Sequence, residues 1–196
     1  MSAIEANIMV VGVGGQGVIL AASIIAEVAL LHGGLEVKQS ETHGMSQRGG
    51  SVHAHIRIGK VVIAPVISPG EVDYLLAFEA AEGLRWAPSV AVGGVAIVNT
   101  EQIVPPLAAT GAHSYPHDAI QSMADRSYRL VAVDGNAIGA EAGSAKVAGV
   151  VLLGALAINL PFSEETWRQA IANTVAPGWL AMNLAAFAAG RRVEAA

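Results

Sequence analysis

Gly12-Val13-Gly14-Gly15-Gln16-Gly17 is the first stretch whose residue types and spacing could do chemistry. It fits G-x-G-x-x-G. Its glycines, Gly12, Gly14, Gly15 and Gly17, permit a tight turn, close approach of an anion to backbone N–H groups, and close packing of helix on strand. Two readings stand: an anion or nucleotide site, and a glycine turn kept for packing. A dinucleotide site also wants an acidic residue about 20 positions on, to bond a ribose. Only Glu41 qualifies, slightly late. No Gly-Lys-Ser/Thr follows the turn, which sets a P-loop aside.

The second stretch is Glu41-Thr42-His43-Gly44-Met45-Ser46-Gln47-Arg48-Gly49-Gly50-Ser51. It packs donors, acceptors, a carboxylate and a guanidinium into a loop expected at the carboxyl end of a strand, the edge where ligands bind in open α/β sheets. Arg48 is suited to hold a phosphate or carboxylate in a fork, and Gly49-Gly50 lets the backbone come close. The plainer alternative is a hydrogen-bonded loop that orders a subunit interface.

Other candidates carry less. His53 and His55 share one face of a strand, but the sequence places no third metal ligand, so a packed or surface pair is expected. Asp134-Gly135-Asn136 partly matches a thiamine-diphosphate signature. Val133 stands where that motif has its first glycine, and the later Asn-Asn is missing, so thiamine binding by this chain is rejected. Ser40, Ser46 and Ser51 lack the strand–Ser–helix elbow of a hydrolase. Trp86, Trp167 and Trp179 are scattered, and Trp167 falls at helical spacing from Ala170 and Ile171, which points to packing.

The elements around these residues follow from apolar pattern. Ile8 to Val13 is a continuous apolar run closed by glycines, as in a strand buried on both faces of a parallel sheet. Val18, Ala21, Ala22, Ile25, Val28 and Ala29 recur at helical spacing up to a stop at Gly33-Gly34. Leu35 to Ser40 is the next strand, completing a strand–helix–strand unit. Val52, Ala54, Ile56 and Ile58 alternate as in a half-buried strand, and Gly59-Lys60 is expected to turn it into a hairpin with Val61-Val62-Ile63. Residues 74–78, 95–98 and 130–133 add three strands. From Ala137 the chain reads as helices broken at Leu160-Pro161 and Ala176-Pro177-Gly178, with Ser163 placed to open one of them. The expected fold is α/β: a Rossmann-like three-layer sandwich with a mostly parallel sheet plus an antiparallel hairpin, in a single domain spanning residues 1–196.

Composition narrows the function. With 53% hydrophobic and 14% charged residues, there is little polar material to cover a monomer, so some apolar surface is expected to face a partner. The net charge is −5 and no Lys/Arg cluster occurs beyond Arg191-Arg192, which argues against nucleic acid. Cysteine is absent, excluding disulfides, thiolate zinc sites and cysteine-ligated iron–sulfur clusters in this chain. The start, MSAIEAN, lacks the basic and apolar regions of a secretory signal, and the longest apolar stretch, Val147 to Leu160, falls short of the roughly 20 residues that span a bilayer. A cytoplasmic protein without membrane contact is expected.

The glycine turn G-V-G-G-Q-G-V, the loop E-T-H-G-M-S-Q-R-G-G-S-V, and the later L-L-G-A-L-A and L-P-F-S-E-E-T-W-R-Q-A-I together resemble the gamma-type domain of 2-oxoacid:ferredoxin oxidoreductases over nearly the whole chain. The loop wording G-M-S-Q-R-G-G-S-V is similar to the beta subunit of the indolepyruvate type; pyruvate and 2-oxoglutarate enzymes tend to carry S-Y-G-x-x-x-R-G-G. The resemblance implies a complex. A larger catalytic subunit would carry thiamine diphosphate and iron–sulfur clusters, decarboxylate an aryl pyruvate, pass electrons to ferredoxin and transfer the acyl group to coenzyme A. This chain would have no catalytic residue of its own. It would cover the active site and help bind coenzyme A through Gly12, Gly14, Gly15 and Gly17 in the turn and Glu41, Thr42, Gly44, Gln47, Arg48, Gly49 and Gly50 in the loop. Two alternatives remain at this level: a stand-alone oxidoreductase binding NAD(P) or a flavin nucleotide, and a non-catalytic assembly subunit.

Overall fold

A computed structural model describes residues 5–43, 50–105, 108, 110, 111, 114–124 and 126–193, with backbone only at residue 43. The apolar run at the start forms β1 (Ala6–Val13), and the helical spacing after the glycines forms α1 (Val18–His32). β2 (Glu36–His43) and β3 (Ser51–Gly59) follow, then β4 (Val72–Ala77), α2 (Ala80–Trp86) and β5 (Val90–Asn99). Next come α3 (Ala119–Met123), β6 (Arg129–Val133), α4 (Gly135–Glu141), α5 (Ala148–Ala157), α6 (Glu164–Thr174) and α7 (Leu180–Gly190).

The six strands form one sheet in the order β2-β3-β1-β4-β5-β6. β1, β4, β5 and β6 pair in parallel, while β3 runs antiparallel to both β1 and β2. The expected antiparallel excursion is therefore present, but its members differ. β3 is bonded along both sides, so it has no edge left for residues 61–63. That segment forms no strand: Val61 and Ile63 are exposed and Val62 turns inward. β2 also runs past the expected Ser40, because Glu41, Thr42 and His43 each find a partner on β3, in Ala54, His53 and Val52.

Alternate residues along the strands feed two apolar layers, as the period of two requires. Ile8, Val10, Ala54, Ile56 and Ile97 pack against α1, α5, α6 and α7. Met9, Val11, Leu75, Ala96 and Val98 face the opposite side, toward α2 and α3. This is the expected three-layer α/β sandwich. Helix α5 is buried along nearly its whole length between the sheet and α7. The close approach of those two helices needs glycine: a Cβ at Gly190 would lie 1.9 Å from the Val151 carbonyl oxygen. Ser163 caps α6 by accepting the Thr166 N–H at 3.1 Å, and Trp167, Ala170 and Ile171 are buried on its inner face, as their spacing predicted. Among the described residues, no helix is long and apolar enough to cross a membrane.

Candidate functional site

Helices α1 and α2 leave the adjacent parallel strands β1 and β4 toward opposite faces of the sheet. Their departure opens a crevice at the carboxyl ends of those strands, the position where open α/β sheets bind ligands. The glycine turn sits in it. Gly15 and Gly17 hold φ of +104° and +88°, and Gly17 opens α1 without a side-chain cap. Gly12 is crowded instead: a Cβ there would lie 2.8 Å from Gln16 Oε1 and 2.9 Å from Phe78 Cβ.

The Gly14 N–H donates to the Gly50 carbonyl oxygen at 2.8 Å, so the end of the polar loop is tied directly to the turn. A cavity of about 440 Å³ opens over this junction, lined by Gly14, Gly15, Gly17, Ile19 and Val52. A second, of about 540 Å³, shares Gly15 and runs past Gln16, Glu101, Asn136 and Lys146.

Of the residues singled out from sequence, the structure thus gathers Gly12, Gly14, Gly15, Gly17 and Gly50. Glu41 and Thr42 are exposed on β2, level with Val10 and Val11 of β1 but with β3 between. Two strand spacings put them about 10 Å to the side of the turn. A ribose held at the glycine turn would lie beyond the reach expected of a neighbouring strand, so Glu41 is poorly placed for the dinucleotide role. Gly44, Gln47, Arg48 and Gly49 lie outside the described residues.

The polar groups beneath the turn are specified by no motif visible in the sequence. Gln16 occupies a variable position of the motif, yet its Oε1 accepts the Val13 N–H at 2.8 Å and its Nε2 donates to the Phe78 carbonyl at 2.9 Å and to Glu101 at 2.8 Å. Asn136 Nδ2 donates to the other Glu101 oxygen at 2.9 Å, and Asn99 Nδ2 donates to Asn136 and to Phe78. These side chains tie together the ends of β1, β4 and β5 and the start of α4.

A second set centres on Glu79, 1% exposed, which caps α2. Its carboxylate accepts the Glu82 N–H at 2.8 Å, the Ile103 N–H at 3.2 Å and the Tyr115 hydroxyl. Burial, and then the bond to Glu79 and its charge, hold the Tyr115 hydroxyl far above its ordinary pKa. Glu82 accepts from the Ser51 hydroxyl at 2.6 Å, linking α2 to the start of β3. The signal available in the sequence was slight: single acids or amides directly after apolar runs, in Phe78-Glu79 and Asn99-Thr100-Glu101.

His53 and His55 pack edge to face at 5.5 Å, with the Trp86 ring 4.6 Å from His53. His55 Nδ1 accepts the Ile67 N–H at 3.3 Å. Burial lowers the pKa of both rings, helped in His55 by its neighbour. Among the described residues no three potential ligands gather for a metal.

Comparison with known proteins agrees with this architecture. The profile of the Pyruvate ferredoxin/flavodoxin oxidoreductase family matches residues 7–193. Indolepyruvate oxidoreductase subunit IorB of Archaeoglobus fulgidus is 40% identical over 188 residues, covering 94% of this chain and 92% of the relative. Among solved structures, the gamma subunit of a keto/oxoacid ferredoxin oxidoreductase from Geobacter sulfurreducens superposes with a TM-score of 0.69 at 26% identity, covering 94% of this chain and 95% of that one. A 2-oxoglutarate:ferredoxin oxidoreductase from Magnetococcus marinus shares the fold at a TM-score of 0.75 and 20% identity, over 98% of this chain and 31% of the longer one.

Proposed function

The chain belongs to the pyruvate ferredoxin/flavodoxin oxidoreductase family, and we propose that, as the small subunit of an indolepyruvate-type 2-oxoacid:ferredoxin oxidoreductase, it covers the active site of a larger subunit and helps hold coenzyme A there. Thiamine diphosphate and iron–sulfur clusters, which supply carbon–carbon cleavage and one-electron transfer in such chemistry, belong on this reading to the larger subunit.

The residues of this chain do not fit those groups. Without cysteine it has no thiolates for a cluster. The residues nearest a thiamine signature are committed elsewhere: Asp134 caps α4 by accepting the Ala137 N–H at 2.9 Å, and Asn136 is bonded to Asn99 and Glu101.

The observation that carries the proposal is the convergence of Gly12, Gly14, Gly15, Gly17 and Gly50 at one strand end, roofed by side chains that ask for a partner. Ile19 and Leu20, in the first turn of α1, are 42% and 40% exposed. Trp179, 42% exposed, lines a third cavity together with Leu20. A large subunit seated here would bury these side chains, at about 1.5–3 kcal/mol for a fully covered aliphatic one. It would also shield the glycine turn from water. Glu41, Thr42, Gly44, Gln47, Arg48 and Gly49 complete the proposed surface, with Arg48 engaging a phosphate of coenzyme A.

Charge-assisted hydrogen bonds contribute about 1.5–3 kcal/mol, so Arg48→Ala is expected to raise KM for coenzyme A about tenfold or more in the assembled enzyme, or to weaken assembly itself. Steady-state kinetics over a coenzyme A series, with gel filtration of the complex, checks this. Unchanged KM and unchanged assembly would remove Arg48 from the site.

A further inference from the structure

We infer that Glu101 is a positioning residue for the glycine turn, acting through Gln16, and that with Asn136 as its neighbour only a carboxylate at 101 can do this. The inference rests on the reading that the turn faces coenzyme A in the assembled enzyme. Its basis is the direction of each hydrogen bond in the network, which backbone groups fix from both ends.

At one end, Gln16 Oε1 accepts the Val13 N–H and Nε2 donates to the Phe78 carbonyl, so the amide cannot turn over without setting like against like. Its remaining Nε2 hydrogen must point at Glu101, where Oε2 lies 2.8 Å away. At the other end, Asn99 Oδ1 accepts the Gly135 N–H at 3.0 Å and Nδ2 donates to the Phe78 carbonyl at 3.1 Å. Asn99 is therefore fixed as well, and presents a hydrogen to Asn136 Oδ1 at 2.9 Å. That leaves Asn136 with its own Nδ2 aimed at Glu101 Oε1, again at 2.9 Å.

Two donors thus converge on residue 101, from chain segments 85 and 35 residues away. A carboxylate accepts both. A glutamine at 101 accepts one and meets the other donor with its own N–H₂ group, and neither neighbour can rotate to relieve the conflict. Gln16 is the flexible end, because it sits in the turn itself. Once it is displaced, the Val13 N–H loses its acceptor and the turn loses its fastening to the end of β4. Neither oxygen of Glu101 pairs with a cation among the described residues, and both are taken by amides, which suits positioning rather than contact chemistry.

The network can be rewritten with its polarity intact. In the double variant Glu101→Gln with Asn136→Asp, the introduced aspartate accepts from Asn99 and from the N–H₂ group of the introduced glutamine, while that glutamine's Oε1 accepts from Gln16. Net charge is unchanged and every donor keeps an acceptor.

The test uses the assembled complex and reads KM for coenzyme A separately from kcat. Glu101→Gln is expected to raise KM about tenfold with kcat at saturating coenzyme A nearly unchanged, and the double variant to recover KM to within about threefold of the parent. Recovery by the double variant is an outcome a general loss of stability would not give. An unchanged KM in Glu101→Gln overturns the inference, as does a double variant that assembles but keeps the raised KM, since the carboxylate would then act from position 101 directly. Should Glu101→Gln fail to assemble, the double variant decides: normal assembly and KM support the network, and failure overturns it. Gly15→Ala separates this from the underlying reading. Gly15 has open space around it but φ of +104°, so alanine strains only the turn. If Gly15→Ala leaves KM for coenzyme A unchanged, the reading that the turn faces coenzyme A falls. If it raises KM while Glu101→Gln does not, the positioning role alone falls.

Discussion

Gly12→Val is expected to lower the Tm of the purified chain by about 6–12 °C, from an overpacking cost of about 3 kcal/mol and the usual 2–4 °C per kcal/mol for a domain of this size. The side chain has nowhere to go. The first atom beyond Cα would lie 2.8 Å from Gln16 Oε1, 2.9 Å from Phe78 Cβ and 3.0 Å from Val18 Cγ2. Phe78 and Val18 are themselves buried in the apolar layer against α1. The relief available is to push Gln16 aside, which costs the Val13 N–H its acceptor. Calorimetry of the variant beside Gly178→Ala checks the claim: Gly178 has nothing within 4 Å, and its change should stay within about 0.5 kcal/mol. Equal Tm values for the two variants would mean that the turn yields more easily than its packing indicates.

Glu79→Ala is expected to be comparably damaging. It leaves the Glu82 N–H, the Ile103 N–H and the Tyr115 hydroxyl without their common acceptor and removes the cap of α2. An unsatisfied buried donor costs about 1–3 kcal/mol, and a lost cap about 0.5–2 kcal/mol. Even with partial recovery by water, a loss of about 3 kcal/mol and a Tm fall of about 6–12 °C is expected. Tyr115→Phe removes only one of the three donors and should cost about 1 kcal/mol. Urea unfolding of both variants measures the two costs on one scale. A Glu79→Ala variant no less stable than Tyr115→Phe would show that the carboxylate does not hold the segment after β5 to α2.

Features that depend on near neighbours were legible in the sequence. The buried strands announce themselves as apolar runs such as Ile8 to Val13, and Ser163 caps the helix that begins one residue later. The inward face of α6 was likewise readable from the spacing of Trp167, Ala170 and Ile171. What depends on distant partners was not. Nothing in Glu41-Thr42-His43 marks it as strand, because its pairing comes from β3 rather than from its own polar side chains. The hairpin expected at Gly59-Lys60 has suitable turn residues, but β2 had already taken the place that residues 61–63 would have filled. At the candidate site the glycine motif was visible as a local pattern. Its fastening was hidden, since Gln16 meets Phe78 and Glu101 across 62 and 85 residues of chain.

Anaerobic reconstitution tests whether this chain works as the small subunit: the tagged chain is used to capture its larger subunit, and indolepyruvate-dependent reduction of ferredoxin is measured with coenzyme A, with and without this chain. The proposed role requires that the larger subunit bring thiamine diphosphate and iron–sulfur clusters, and that rapid reduction need both polypeptides. A larger subunit equally active without this chain, or a chain that stays alone and binds a dinucleotide saturably, would contradict it.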